Sequence, residues 1–209
     1  MKYLDLVSEL KRNKLILFSL RDLENLFPKE KLKTLKNNLS RWVKIGRFIK
    51  LKRDLYEFVE PGLTLDISDV YVANKLYLPS YVSLETALSI YGLIPDVAAQ
   101  VTSMTTRVTR EFKNKYGRFF YRSCQKRAFT GYKLMQYEGL KILIADAEKA
   151  LVDFIYFAIR RKNPMNFNEE RFNKHILKKL KWNKISKYAK LFNNKTVIAL
   201  QKLKEWAKC

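Results

Sequence analysis

One stretch, residues 19–58, restricts this chain more than any other, because it sets an amphipathic helix between a capped short helix and a hairpin-sized ribbon. Over residues 29–45, Leu32, Leu35, Leu39, Trp42 and Val43 recur at the spacing of three and four that lines one face of an α-helix. Gly46 is placed to stop that helix, since glycine takes a positive φ at little cost. On a wheel of about 100° per residue the opposite face gathers Lys33, Thr34, Asn37, Arg41 and Lys44. Amide, hydroxyl and cationic groups of this kind suit base edges and phosphates in a major groove. Upstream, Ser19 can cap a short helix holding Leu20, Leu23 and Leu26, and Pro28 opens the connection between the two helices. Downstream, Phe48, Ile49 and Leu51 run into Arg53-Asp54, and Leu55, Tyr56 and Phe58 run away from it, which predicts a hairpin of wing size. With a first helix over residues 3–12, where Leu4, Val7 and Leu10 share a face, the pattern is that of a winged helix-turn-helix. A solvated basic face beside an ordinary hairpin would carry the same residues, so both readings stand at this point.

The charge pattern bears on that choice. Lys and Arg number 42 against 20 acids, for a net charge of +22. Codon bias toward lysine would raise glutamate as well, so the excess points to a polyanionic partner. Counted along the chain, the net charge is +7 over residues 1–60, −3 over 61–100, +7 over 101–160 and +11 over 161–209. A chain of 209 residues can hold two cores, and Glu60-Pro61-Gly62 is a turn or linker signal. The expected division is therefore residues 1–60 and residues 61–209, with 160–209 a basic helical extension. No apolar run approaches the roughly 18 residues of a membrane span, and the opening MKYLDLVSELKRNK interleaves acids and bases as no signal peptide does. A cytoplasmic protein without a membrane partner is expected. Cys124 and Cys209 are widely separated and suit a reducing compartment.

The second region mixes helix and strand signals. A short helix is expected around residues 66–76, leading into Leu78-Pro79-Ser80-Tyr81. Ser83 is placed to cap the next helix, with Val82, Leu84, Ala87, Leu88 and Tyr91 as its apolar side and Gly92 as its stop. Strands are predicted over residues 100–106, 119–122, 132–137 and 140–144, the last two joined by the hairpin signal Glu138-Gly139. A helix follows over residues 146–159. Beyond residue 160 the strand signals cease, and residues 167–180, 184–192 and 196–206 read as short helices with lysine-filled outer faces. A solvated bundle and a second nucleic-acid surface both fit those lysines.

Catalytic signatures are scarce. His175 is the only histidine, lies in the basic tail and has no nucleophile motif beside it. One histidine and two distant cysteines do not make a zinc site, and the six glycines are scattered rather than gathered in a phosphate loop. The acidic set Asp146, Glu148 and Asp153, with Lys149, is the one cluster that could hold a metal. Asp146 and Glu148, however, lie about 200° apart on a helix, and acids in a first turn serve the helix dipole. The reading is of a chain without catalytic residues, metal or cofactor.

Four stretches carry a family resemblance. They are Asp54-Leu55-Tyr56, then Pro79-Ser80-Tyr81-Val82-Ser83-Leu84-Glu85-Thr86-Ala87-Leu88, then Tyr91-Gly92-Leu93-Ile94-Pro95, and Glu148-Lys149-Ala150-Leu151-Val152-Asp153. In this order, over roughly the first 160 residues, the chain resembles the AbiEi-type antitoxins of type IV toxin-antitoxin (abortive infection) systems, also described as transcriptional regulators of viral defence. It departs from them at Asp54, where the family commonly has a wing-turn glycine, and at Tyr91, where it has a histidine. Its lysine-rich end matches only loosely. The resemblance implies an α+β protein, an N-terminal winged helix-turn-helix followed by a mixed α/β antitoxin domain. Such a protein binds inverted repeats in its own promoter as double-stranded DNA, represses the operon, and counteracts a nucleotidyltransferase-like toxin, with or without a stable contact.

On that reading Thr34, Asn37 and Arg41 reach bases, while Lys33, Lys44, Arg47, Lys50, Lys52 and Arg53 neutralise phosphates. Two other readings remain open. One is a metal-dependent nucleic-acid enzyme working through the acidic set. The other is a plain transcription factor whose second domain binds a ligand or partner.

Overall fold

The computed structural model describes residues 2–59, 67–95, 100–161 and 165–208. It is an α+β structure that divides into two compact units, residues 1–67 and 68–209. The signal Glu60-Pro61-Gly62, the predicted helix start at Asp66, and Cys209 lie outside the described residues.

The first unit contains α1 (Tyr3–Arg12), β1 (Leu17–Ser19), α2 (Leu20–Leu26), α3 (Leu32–Lys44), β2 (Phe48–Lys52) and β3 (Leu55–Phe58). Ser19 caps α2 as its position suggested: its hydroxyl accepts from the Asp22 N–H at 3.2 Å, and the Asp22 carboxylate accepts from the Ser19 N–H at 2.7 Å. α3 is shorter than residues 29–45 and leaves residues 27–31 as the turn between helices. Gly46 ends it at φ +74°. Leu6, Leu10, Phe18, Leu23, Leu35, Leu39, Trp42 and Phe48 form the core, burial that supplies most of such a unit's stability. Of the stripe set out for the first helix, Leu10 is buried, Val7 half-buried and Leu4 76% exposed, Leu6 having taken the inward place.

The sheet holds a strand that residue patterning did not mark. Its antiparallel order is β1-β3-β2, with β1 pairing Leu17 to Glu57. The register shifts between Lys50 and Lys52, and Leu51 between them is buried. At the hairpin tip Asp54 takes φ +61°, the conformation a glycine would supply freely.

The second unit is a six-stranded mixed sheet with helices. Its elements are α4 (Asp69–Leu76), β4 (Ser80–Val82), α5 (Leu84–Ile90), β5 (Val101–Thr105), β6 (Arg110–Asn114), β7 (Gly117–Ser123), β8 (Tyr132–Tyr137), β9 (Leu140–Ala145), α6 (Ala147–Arg161), α7 (Lys174–Lys179), α8 (Trp182–Ala189) and α9 (Asn194–Ala207). The strand order is β6-β7-β5-β4-β9-β8. β4 pairs parallel with β9 and antiparallel with β5, and β5 pairs parallel with β7. Glu138 and Gly139 both take positive φ between β8 and β9, as a two-residue hairpin demands. The Asn74 side chain of α4 bonds to the backbone of β9. Its amide donates to the Leu143 carbonyl at 3.1 Å and accepts from the Leu143 N–H.

Helix α6 packs against α5, β9, α8 and α9, so the basic tail belongs to this unit's core. Residues 167–173, predicted as the start of a helix, are turns and extended chain instead. Leu177, Ile185, Ala189, Leu200, Leu203 and Ala207 are buried. Tyr188 of α8 crosses Gly131 closely enough that a Cβ there would stand 2.7 Å from its ring. Among the described residues no helix is long and apolar enough to cross a membrane.

Candidate nucleic-acid interface

In the first unit, burying Leu35, Leu39 and Trp42 turns the opposite side of α3 outward. Lys33, Thr34, Asn37, Arg41 and Lys44 are all exposed and fall within an arc of about 100°. Lys36 and Ser40 are exposed on the same helix just beyond that arc, Ser40 by about 20°. Arg41 is steadied by its own helix: its guanidinium lies 5.9 Å from the Trp42 ring and donates to Asn38 Oδ1 at 3.4 Å.

Arg47 follows α3 with its guanidinium 5.3 Å from the Tyr3 ring, a stacking that directs a charge without cancelling it. Lys50 and Arg53 are exposed on the hairpin, and Lys52 is half-buried. Arg53 stands 3.7 Å from the Asp54 carboxylate beside it, a surface pair worth little in water. All nine residues singled out from the sequence thus lie on α3, just after it, or on the β2–β3 hairpin. α3 and β2 pack together.

The second unit holds a polar centre that residue spacing did not reveal. Lys149 and Asp153, one turn apart on α6, form a fully buried ion pair. Asp153 also accepts from the Ser83 hydroxyl at 2.8 Å and the Tyr81 hydroxyl at 3.2 Å. Lys149 donates to the Tyr81 oxygen at 3.0 Å, and its ammonium lies 5.0 Å from the Phe192 ring. Burial pushes the Asp153 carboxyl up from the usual range, against the opposing pull of Lys149, Ser83 and Tyr81. Burial likewise raises the Cys124 thiol, to about 11, which leaves it a poor nucleophile at neutral pH.

These partners correct one expectation. Ser83 occupies the N-cap position of α5 but makes no capping hydrogen bond, because its hydroxyl is given to Asp153. The Thr102 hydroxyl accepts from the Thr86 N–H in its place, at 3.1 Å. Asp146 and Glu148 converge despite their angular separation. Asp146 lies at the junction of β9 and α6, so helix geometry does not govern it, and both carboxylates meet Lys184, at 2.8 and 3.5 Å. The remaining oxygen of Asp146 caps α6 by accepting from the Lys149 N–H at 2.9 Å. Among the described residues no three acids, cysteines or histidines stand together as a metal would require. His175 is exposed in the first turn of α7. Tyr91 donates to the Ala145 carbonyl at 2.9 Å.

No protein family and no curated protein matches the chain in sequence. In structure it is similar to the RV2827C protein from Mycobacterium tuberculosis, with a TM-score of 0.50 and 13% identity over 90% of this chain and 75% of that one. At this identity the likeness is one of fold, an α+β architecture that extends across most of both chains.

Proposed function

We propose that this chain is a DNA-binding antitoxin and autorepressor whose first unit is a winged helix-turn-helix. One observation carries the reading: five polar and cationic side chains of α3 stand together in solvent while its leucine and tryptophan spine is buried. A helix so oriented can enter a major groove, with the β2–β3 hairpin as the wing and two copies addressing the halves of an inverted repeat. Thr34, Asn37 and Arg41 reach base edges, and Lys33, Lys44, Arg47, Lys50, Lys52 and Arg53 meet phosphates. Support for the antitoxin assignment of the second unit is of another kind. Tyr81 and Ser83 from one resembling stretch and Lys149 and Asp153 from another bond to each other in its core. The carboxylates of the acidic set are held by Lys184 and Lys149, which favours a non-enzymatic role over a metal-dependent one.

Mobility-shift titration against the chain's own promoter tests the DNA reading. Arg41→Ala is expected to weaken the specific site by about 1–3 kcal/mol and to relax base preference. Lys52→Ala should weaken all sequences similarly. With about six phosphates engaged, log affinity should fall against log salt with a slope near −5. The reverse assignment of the two variants, or a flat salt dependence, would remove α3 from the interface. Co-expression with a neighbouring nucleotidyltransferase reading frame tests the antitoxin role, and unrelieved growth arrest would count against it.

A further inference from the structure

On the second unit, alternation along β7 puts Arg118, Phe120 and Arg122 on one face, while Phe119 and Tyr121 point into the core. The antiparallel register sets Lys113 opposite Arg118 and Glu111 opposite Phe120. Where this face meets α6 there is a cleft of about 380 Å³ lined by Thr109, Arg122, Ser123, Phe157 and Arg160. Among the described residues lining it none is acidic.

Both guanidiniums are set in place by aromatic rings. Arg122 lies 4.3 Å from the Phe120 ring and 5.4 Å from Phe157. Arg160 lies 5.4 Å from Tyr156 and donates to its hydroxyl at 3.0 Å. Thr109 Oγ1 accepts from the Ser123 N–H at 3.2 Å, which fixes that oxygen at the rim with its own proton still to donate. Two guanidinium-bearing side chains and the Thr109 hydroxyl beside one concavity suit the oxygens of a phosphate. Phe157 offers a flat apolar wall for a base, and the volume falls in the range of small-molecule sites.

We propose that this cleft binds the phosphate of a nucleotide, either free or within a single strand of nucleic acid. The site lies on the second unit and does not depend on the DNA reading of the first unit. Its test uses the full chain carrying Asn37→Ala and Arg41→Ala, so that the α3 face contributes less. The probe is a fluorescein-labelled single strand of about 12 nucleotides, followed by anisotropy, with ATP and the unlabelled strand as competitors.

Arg160→Gln, an exposed position whose loss should leave the fold intact, is expected to weaken binding about tenfold or more. Arg122→Gln with Arg160→Gln should weaken it further. Lys141→Gln on β9, three strands from β7 in the sheet, removes the same charge elsewhere on the unit and should change binding about twofold or less. Displacement by ATP identifies a free nucleotide as the ligand; displacement by the strand alone identifies a strand. Equal effects of Arg160→Gln and Lys141→Gln, or no binding of either probe, would overturn the proposal. Failure of the intact chain to shift its promoter duplex would overturn only the α3 assignment.

Discussion

Lys149 and Asp153 carry opposite charges into a region from which water is excluded, and each is tolerable there only because of the other. Asp153→Asn leaves the ammonium of Lys149 uncompensated and is expected to cost about 3–5 kcal/mol, read by urea unfolding of the full chain. Adding Lys149→Met to that variant should recover part of the loss, and a double variant less stable than Asp153→Asn would refute this pairing. A second residue-scale effect concerns alkali. Burial and the neighbouring Asp146 push the Tyr188 hydroxyl up to about 12. An unfolded tyrosine loses its proton near pH 10, so between about pH 10 and 12 the folded state binds more protons than the unfolded state. The contribution of Tyr188 therefore holds below that window and is lost as pH rises through it. The stability difference between the native chain and Tyr188→Phe should shrink from pH 9 to pH 11, and a constant difference would refute the linkage.

Two serines that look alike in sequence do different things in their elements. Ser19→Ala removes a real cap and should cost about 1 kcal/mol. Ser83→Ala should cost more, about 1.5–3 kcal/mol, because it strips a hydrogen bond from a buried carboxylate; equal costs in unfolding measurements would show that Ser83 is an ordinary cap. The same contrast explains what patterning could convey. α1, α2, α3, α5 and α6 follow three-and-four spacing with caps or stops nearby, and β8 and β9 follow from the Glu138-Gly139 turn. β1 was hidden because three residues are too few to show alternation. β4 was hidden because all three of its residues are buried, so it does not alternate at all. β6 begins with Arg110 and Glu111, whose exposure fits the edge of a sheet but not the apolar run that marks a strand. The exposed face of α3 was legible because helix periodicity is local. The polar centre was not, because its partners lie 68 to 72 residues apart, and a lysine four residues before an aspartate reads as a surface pair. Its one trace was that Tyr81, Ser83, Lys149 and Asp153 all fall within the resembling stretches.

At the scale of the molecule, the basic helices α7, α8 and α9 pack into the second unit rather than trailing from it, although residues 161–209 carry a net +11. Leu200 and Leu203 of α9 and Ile185 of α8 are buried, and Phe192 lies over Lys149. A chain ended after residue 160 is therefore expected to lose the fold of the second unit, since α6 would surrender its cover and the buried ion pair its roof. Circular dichroism melting is the measurement, and a cooperative transition with native ellipticity per residue would contradict it. The close passage at Gly131 adds a last consequence. The hydrogen that serves Gly131 as a side chain is the keyhole through which the aromatic latch of α8 reaches the acid at the head of α6. Exchange it for a methyl group and the latch must lift, so the grip on the C-terminal helices is decided by the smallest side chain on the opposite side.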